Sequence, residues 1–257
     1  MHHAYQTAFV TGASSGIGQR LAVLLAADGR DLVILARRTG LLEALAARLR
    51  EEHKVSVEVL TADLTSPAGL AAAEARLSDP DRPIELLVNN AGFGSTGSFG
   101  DLPVGSAEDQ IRLNITAVVR LTHAALPGML RRGHGGVLNV SSVAGFVPSP
   151  GAATYGATKA FVTAFSESLS AEVRHRGVHV TALCPGFTRT DPGDGARPAP
   201  AGLAWLDADK VARAGLDAVA AGRVLTIPGA QYKSVVSLTR ILPRGVLRSA
   251  VRAVRRP

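Results

Sequence analysis

The sequence predicts a single α/β domain, a doubly wound parallel sheet of about seven strands with helices on both faces. Short apolar segments alternate with longer amphipathic ones along the chain, and strands that alternate with helices form parallel sheets covered on both faces. A length of 257 residues suits one such domain with a sizeable core. Because no internal repeat or interdomain linker interrupts the alternation, we expect residues 1–257 to form one domain.

The strands are predicted where short runs of apolar residues are bounded by turn-forming residues. They lie at about residues 6–11, 31–36, 55–61, 84–89, 136–141, 178–184 and 223–227. The helices are predicted where apolar residues recur at helical spacing. They lie at about residues 16–27, 40–52, 67–78, 104–132, 154–176 and 207–221. Gly29, Gly133 and Gly177 stand where three helices should end, since glycine readily takes the left-handed conformation that terminates a helix.

A glycine-rich turn joins the first predicted strand to the first helix. The apolar run 8–10 leads into TGASSGIG at residues 11–18, and a helical pattern follows from Leu21. This order is typical of a dinucleotide-binding unit, because the glycines let the backbone approach a diphosphate and the helix N-terminus attracts its charge. We therefore expect a dinucleotide to contact this turn. The residues concerned are Gly12, Ser14, Ser15, Gly16, Ile17 and Gly18.

Tyr155 and Lys159 lie four residues apart in a predicted helix, so their side chains share one face. A neighbouring ammonium favours the phenolate and lowers the pKa of a tyrosine from its usual value of about 10. Ser142, further upstream, offers a hydroxyl that could hold a carbonyl oxygen. Beside a hydride carrier, these groups could reduce a carbonyl or oxidise an alcohol. Taken alone, the pair is also compatible with two residues that share a surface helix by chance.

Five separated motifs resemble the short-chain dehydrogenase/reductase family in order and spacing over about residues 5–190. They are TGASSGIG at 11–18, Asn89–Gly92, Asn114 with Ser142, the segment from Tyr155 to Lys159, and Pro185–Gly186. The resemblance implies a single-domain Rossmann fold, a nicotinamide cofactor and a catalytic tetrad. The tetrad consists of Asn114, Ser142, Tyr155 and Lys159. In the pair Ser141–Ser142, the family's spacing to the tyrosine selects Ser142.

The resemblance also implies cofactor contacts beyond the glycine-rich turn. They come from Asp63 and Leu64 near the adenine, from Asn90, Ala91 and Gly92 along the cofactor, from Tyr155 and Lys159, and from Pro185, Gly186, Thr188 and Thr190 near the nicotinamide. Asn114 is expected to hold a water that links Lys159 to solvent, although its amide could instead brace a helix kink. Asn89 is expected to brace the central strands.

The charge at the end of the second strand favours NADP(H) over NAD(H). Ala36 stands where the family's NAD users carry an aspartate, and Arg37 and Arg38 follow it. The guanidinium of Arg37 is expected to bind the 2′-phosphate of NADP(H), whereas an aspartate would repel that phosphate. The alternative is that both arginines are only solvent-exposed residues of a loop and bind no phosphate.

Apolar residues between Ser142 and Tyr155 favour a hydrophobic substrate. The segment 143–148 is apolar, and Phe93, Phe187 and Trp205 could join it. An apolar pocket with few polar anchors suits a ketone, an aldehyde or a 3-oxoacyl compound. Residues 187–206, rich in Pro, Gly and Ala, are expected to form a substrate flap, with a plain surface loop as the alternative.

Two further functions stay open at this point. One is an NAD-linked alcohol dehydrogenase that works in the oxidative direction. The other is a sensor that binds NADP(H) without turnover, although a binder has no need of Ser142, Tyr155 and Lys159 together. The family resemblance implies a homodimer or homotetramer formed through the helices at 104–132 and 154–176.

Residues 230–257 form a basic amphipathic extension without an acidic residue. Three interpretations of this extension compete: a helix on a subunit interface or over the pocket, a helix on an anionic membrane surface, and a solvated end. Nucleic-acid binding is not expected, because the basic residues lack a recognition motif and stacking aromatics. No metal site is expected.

The single cysteine, Cys184, follows an apolar run and is expected to be a small buried residue at the end of a strand. One cysteine cannot form an internal disulfide, which fits a reducing cytoplasm. No signal-peptide pattern precedes the first predicted strand, and no apolar run approaches the roughly 20 residues of a membrane span. We therefore expect a cytoplasmic protein.

Overall fold

A computed structural model describes residues 5–189, 204–242 and 245–246 of the chain. Thr190, residues 191–203 of the predicted flap, and residues 243–244 and 247–257 of the basic extension lie outside the described residues.

The fold is built on a seven-stranded sheet in which all the paired strands are parallel. In chain order its strands are β1 (Thr7–Thr11), β2 (Asp31–Ala36), β3 (Val57–Thr61), β4 (Leu86–Asn89), β5 (Gly135–Val140), β6 (Val178–Leu183) and β9 (Leu225–Thr226). The order across the sheet is β3-β2-β1-β4-β5-β6-β9. Two short strands, β7 (Thr188–Arg189) and β8 (Leu206–Asp207), pair as a separate parallel ribbon that the sequence did not predict.

The helices cover both faces of this sheet. They are α1 (Gly16–Ala27), α2 (Thr39–His53), α3 (Pro67–Ser78), α4 (Val104–Ile111), α5 (Val118–Arg132), α6 (Ala153–Val173), α7 (Ala208–Ala220) and α8 (Ala230–Ile241). The predicted doubly wound α/β fold is confirmed. Gly29, Gly133 and Gly177 all have positive φ angles, as expected for residues that follow helix ends.

One long helix was predicted where the structure has two. The stretch 104–132 is divided into α4 and α5 by a π-helical turn at Arg112–Ala117. Asn114 lies in this turn, and its side chain is bonded to groups outside its own helix. The periodicity of apolar residues alone did not reveal this turn, whose buried residues include the polar Asn114.

The core lies on both faces of the sheet because successive residues of β1 point to opposite sides. Val10 packs into a cluster with residues of α1, α2 and α7, whereas Phe9 packs into a cluster with residues of α3, α5 and α6. Burial on both faces explains why the strands are continuous apolar runs rather than alternating ones. Cys184 is fully buried directly after β6, and its N–H donates to Thr226 O at 2.8 Å.

The strand order reverses between β1 and β4, which are neighbours in the sheet. Connections from these two strands leave toward opposite sides, so a crevice opens beyond their carboxyl ends. The glycine-rich turn follows β1 and Asn90 follows β4. The topology therefore brings the motifs together although they are far apart in the sequence.

We predict that Gly177→Ala destabilises the protein more than Gly29→Ala. Both residues have φ of 75°, so both variants carry the strain of a left-handed alanine, about 1–2 kcal/mol. A Cβ on Gly177 would lie 2.0 Å from Gly133 O, whereas a Cβ on Gly29 meets nothing within 4 Å. Urea unfolding should show the larger loss for Gly177→Ala, and equal losses would contradict the packing argument.

Candidate active site

A cleft of about 860 Å³ opens at the carboxyl ends of the central strands. Most of the residues predicted to form the site line it. They are Gly12, Ser14, Ser15, Gly16, Ile17, Arg37, Arg38, Asp63, Leu64, Asn90, Ala91, Gly92, Ser142, Tyr155, Lys159, Pro185, Gly186 and Thr188. Gly18 and Asn114 do not line the cleft but lie behind its wall, and Thr190 is outside the described residues.

The glycine-rich turn is packed tightly against the end of β4. Gly12 has φ of 68°, and a Cβ on it would lie 2.8 Å from Asn90 Nδ2. A Cβ on Gly18 would lie 2.3 Å from both Gly12 O and Asn90 Nδ2. Asn90 in turn donates from Nδ2 to Thr11 O at 3.0 Å. Gly18 is therefore required for packing within the turn, and its predicted contact with a cofactor stays a prediction.

The first turn of α1 leaves backbone donors available at the cleft. The first hydrogen bond along the helix runs from Gln19 N to Ser15 O, and Ser15 makes no side-chain capping bond within the described residues. The N–H groups of Gly16, Ile17 and Gly18 are thus without intrahelical acceptors. Together with the close backbone approach at Gly12, this arrangement fits a diphosphate.

Two arginines follow β2 at the rim of the cleft, and only one of them is held by the glycine-rich turn. Arg38 donates from Nη2 to Ser14 Oγ at 2.9 Å and to Ser15 Oγ at 2.7 Å. Arg37 is exposed.

The pKa of Asp63 is lowered chiefly by hydrogen bonds from the backbone N–H and the hydroxyl of Thr65, and to a smaller extent by the charge of Arg37. Asp63 is therefore ionised at neutral pH.

Lys159 lies beneath the Tyr155 ring on the floor of the cleft. Its side chain is buried, Nζ donates to Val140 O at 2.7 Å, and Nζ is 5.7 Å from the centroid of the Tyr155 ring. Burial lowers the pKa of Lys159 to about 8, so the amine is mostly charged at neutral pH.

The Tyr155 phenol is bonded to Ser142 but is not acidified overall. Burial raises the pKa of Tyr155, and the hydrogen bond with Ser142 lowers it in part. The sequence predicted that Lys159 would bring this pKa below its ordinary value. In this structure that expectation is wrong, because the cost of burying a phenolate outweighs the favourable interactions. The geometry provides a protonated phenol beside a buried cation.

Asn114 braces the walls of the cleft from behind. Its Oδ1 accepts from Phe93 N at 3.1 Å, and its Nδ2 donates to Phe93 O at 2.9 Å and to Thr158 Oγ1 at 3.0 Å. The Thr158 hydroxyl donates to Tyr155 O at 2.9 Å. The amide thus braces neighbouring elements rather than the kink of its own helix, and the expected water link to Lys159 stays a prediction. The π-helical turn aims the amide at the loop after β4 and at α6 together.

Asn89 makes the bracing contacts that the sequence predicted. Its Nδ2 donates to Asn139 Oδ1 at 2.9 Å and to Thr122 Oγ1 at 3.1 Å, which ties β4 to β5 and to α5.

Ser141 is buried and donates to Lys159 O at 2.7 Å. Ser141 therefore anchors α6 to β5, while Ser142 faces the cleft.

Two glycines that the sequence interpretation missed are needed for this geometry. A Cβ on Gly94 would lie 2.7 Å from the Tyr155 ring, and a Cβ on Gly145 would lie 2.8 Å from Ala160 N. The first lets the loop after β4 approach Tyr155, and the second lets the turn after Ser142 pack on α6. Both glycines lie close in sequence to residues of the motifs, and this proximity could have indicated that they are needed at the site.

The expected apolar wall differs from the observed one. Phe93 lines the cleft, but Phe187, Trp205 and the segment 143–148 do not. Phe187 and Trp205 instead form an edge-to-face pair, with ring centroids 5.8 Å apart, at the base of the β7–β8 ribbon. Hydrophobic character was visible in the sequence, but the mutual pairing of these two rings was not.

Among the residues described, no helix is long and apolar enough to cross a membrane. The same part of the chain contains no cluster of His, Cys, Asp and Glu that could hold a metal ion.

A family model described as short chain dehydrogenase matches residues 6–200. The chain belongs to the short-chain dehydrogenase/reductase family. Its members include solved structures that cover 93% of this chain. One is a bulky-bulky ketone specific alcohol dehydrogenase from Comamonas testosteroni, with 37% identity, a TM-score of 0.81 and 93% of that chain covered. Another is a short-chain dehydrogenase from Sphingobium yanoikuyae in complex with NADPH, with 39% identity, a TM-score of 0.82 and 97% of that chain covered.

A curated relative is the very-long-chain 3-oxoacyl-CoA reductase of Laccaria bicolor. It is 38% identical over 178 residues, which make up 68% of this chain and 53% of that protein. Membership of the family establishes this protein as an NAD(P)-dependent oxidoreductase that acts on alcohol or carbonyl groups. Family membership also agrees with the cleft, which the glycine-rich turn lines together with Ser142, Tyr155 and Lys159.

Proposed function

We propose that this protein uses NADPH to reduce the carbonyl group of a hydrophobic ketone, aldehyde or 3-oxoacyl compound. The observation that carries the proposal is the convergence of Ser142, Tyr155 and Lys159 in one cleft with the glycine-rich turn. Family membership alone would leave the direction and the substrate open. A protonated phenol beside a buried ammonium favours the reductive direction, because reduction requires a proton donor.

The cofactor would be held along the cleft by backbone groups and a few side chains. The N-terminus of α1 would bind the diphosphate, and Asp63 and Leu64 would contact the adenosine half. Asn90, Ala91 and Gly92 would lie along the cofactor. Lys159 would bind the nicotinamide ribose, and the segment from Pro185 to Thr188 would contact the nicotinamide, with Thr190 following it. When bound, the nicotinamide supplies the hydride.

NADPH is preferred over NADH in this proposal because of Arg38. Its guanidinium is oriented by the hydroxyls of Ser14 and Ser15 at the rim of the cleft, and Arg37 adds a second positive charge nearby. A fixed guanidinium loses less freedom when it binds a phosphate than a mobile one does. The Sphingobium yanoikuyae relative, in complex with NADPH, supports the same choice.

The catalytic roles follow from the contacts of each side chain. Ser142 and Tyr155 would donate hydrogen bonds to the carbonyl oxygen of the substrate, and Tyr155 would then give that oxygen its proton. The charge of Lys159 would stabilise the phenolate that Tyr155 leaves behind. Asn114 would hold α6 and the loop after β4 in fixed positions relative to each other. A water held near its amide would connect Lys159 to solvent.

The substrate class is inferred from one wall and from two relatives. Phe93 and Leu113 provide apolar surface inside the cleft. A relative from Comamonas testosteroni is specific for bulky-bulky ketones, and one from Laccaria bicolor is a very-long-chain 3-oxoacyl-CoA reductase. The first name specifies ketones with two bulky substituents, and the second specifies a carbonyl group on a very long acyl chain.

We also infer a homodimer or homotetramer. The exposed large hydrophobic residues include Val104, Ile111 and Phe161, which lie on α4 and α6, the helices that the family resemblance assigns to subunit pairing. Exposed apolar side chains on the helices assigned to pairing support this assembly. Light scattering of the purified protein tests this assembly.

The proposal predicts that the protein oxidises NADPH in a screen over ketones, aldehydes and 3-oxoacyl thioesters. Tyr155→Phe should lower kcat on the best substrate by at least about a hundredfold, because general acid catalysis is lost. NADPH should still bind to that variant, as measured by fluorescence titration. A Tyr155→Phe variant with nearly the parent kcat would refute the mechanism.

We predict that Arg38→Ala lowers kcat/KM for NADPH by about tenfold or more, because the variant loses a charge-assisted hydrogen bond to the 2′-phosphate. The kcat/KM for NADH, which lacks that phosphate, should stay nearly unchanged. Arg48→Ala is the matched control, since Arg48 is an exposed arginine on the nearby helix α2 and does not line the cleft. Equal losses with both cofactors in Arg38→Ala, or a parent enzyme that prefers NADH, would rule out this assignment.

A further inference from the structure

Tyr232, on α8, is a fully buried tyrosine to which the sequence assigned no role. Its side chain is 1% exposed, and it is among the largest fully buried side chains. The phenol oxygen accepts from Phe187 N at 3.1 Å, and the hydroxyl donates to Ala204 O at 3.0 Å. It thus acts both as acceptor and as donor.

The two partners of this phenol belong to different arms of the β7–β8 ribbon. Phe187 directly precedes β7, and Ala204 lies just before β8. The arms are also joined by Leu206 N, which donates to Phe187 O at 2.7 Å. Tyr232 therefore fastens together two segments that are separated in sequence but adjacent in the fold.

The ring of Tyr232 supports the cleft wall through Gly186. A Cβ on Gly186 would lie 2.2 Å from the ring, so only glycine permits this approach. On the other side, Gly186 and Thr188 line the cleft, and Val143 N donates to Pro185 O at 3.1 Å beside Ser142. The segment from Pro185 to Thr188 is thus clamped between the turn that carries Ser142 and the ring of Tyr232.

We propose that Tyr232 is a positioning residue that holds the backbone from Gly186 to Thr188 in place for the nicotinamide end of the cofactor. This inference rests on the proposed function, because it concerns the same cleft. Tyr232 does not line the cleft and acts only through the backbone it fixes. It makes α8, the first part of the basic extension, a component of the cofactor site.

The test compares Tyr232→Phe with Tyr5→Phe. Tyr5 is also a buried tyrosine with a hydroxyl that donates to a backbone carbonyl, Val219 O, but its ring packs on Gly136 near the start of β5, at the other end of the sheet from the cleft. Both variants keep the ring and lose the hydroxyl. Each should lose a similar amount of stability, about 1 kcal/mol in urea unfolding.

Only Tyr232→Phe should weaken cofactor binding. The loss should appear only for ligands that contain the nicotinamide half, which is the part of the cofactor expected to contact Gly186. The Kd for NADPH should rise roughly fivefold, the value of about one hydrogen bond, while the Kd for adenosine 2′,5′-bisphosphate should stay at the parent value. That fragment lacks the nicotinamide half. Trp205 is the single tryptophan of the chain, so tryptophan fluorescence anisotropy should also change in Tyr232→Phe and not in Tyr5→Phe.

An unchanged Kd for NADPH in Tyr232→Phe would overturn the inference, and so would equal losses for NADPH and for the fragment. A parent protein that binds NADPH but reduces no carbonyl compound would instead refute the proposed function. In that case the two Kd ratios still decide whether Tyr232 positions the cofactor site.

Discussion

A charged amine buried beneath a phenol is the constraint on which the rest of the site depends. Lys159 has its ammonium against Val140 O and under the Tyr155 ring, and burial brings its pKa down to about 8. Removing an ammonium from water is costly unless nearby groups stabilise it. The carbonyl at the end of β5 and the electron-rich ring supply that stabilisation, and both require α6 to pack closely on the sheet.

Close packing of α6 explains a set of residues that have no chemistry of their own. Gly145 lets the turn after β5 lie on the α6 backbone, and Ser141 bonds directly to Lys159 O. Asn114 fastens α6 to the loop after β4 through Thr158 and Phe93. Each contact fixes the distance between the sheet edge and α6, and therefore the position of Lys159 and Tyr155 relative to the glycine-rich turn.

The sequence predicted the fold from local patterns, and it predicted most of the cleft-lining residues through the resemblance of its motifs to the short-chain dehydrogenase/reductase family. Apolar runs define strands, and residues that follow parallel strands gather at one edge. The pattern could not show features that depend on contacts between distant segments. The π-helical turn at Arg112–Ala117, the packing role of Gly18 and the pairing of Phe187 with Trp205 are of this kind. The rise in the Tyr155 pKa was missed for the same reason, since burial depends on the whole fold.

In the proposed mechanism, Lys159 is the source of the charge that supports proton donation by Tyr155. The pH dependence of kcat for carbonyl reduction tests this claim most directly. We predict that kcat falls as the pH rises through about 8, where Lys159 loses its proton and can no longer stabilise the phenolate. A kcat that stays constant from about pH 7 to about pH 10, a range in which an ammonium with that pKa would lose its charge, would contradict the account.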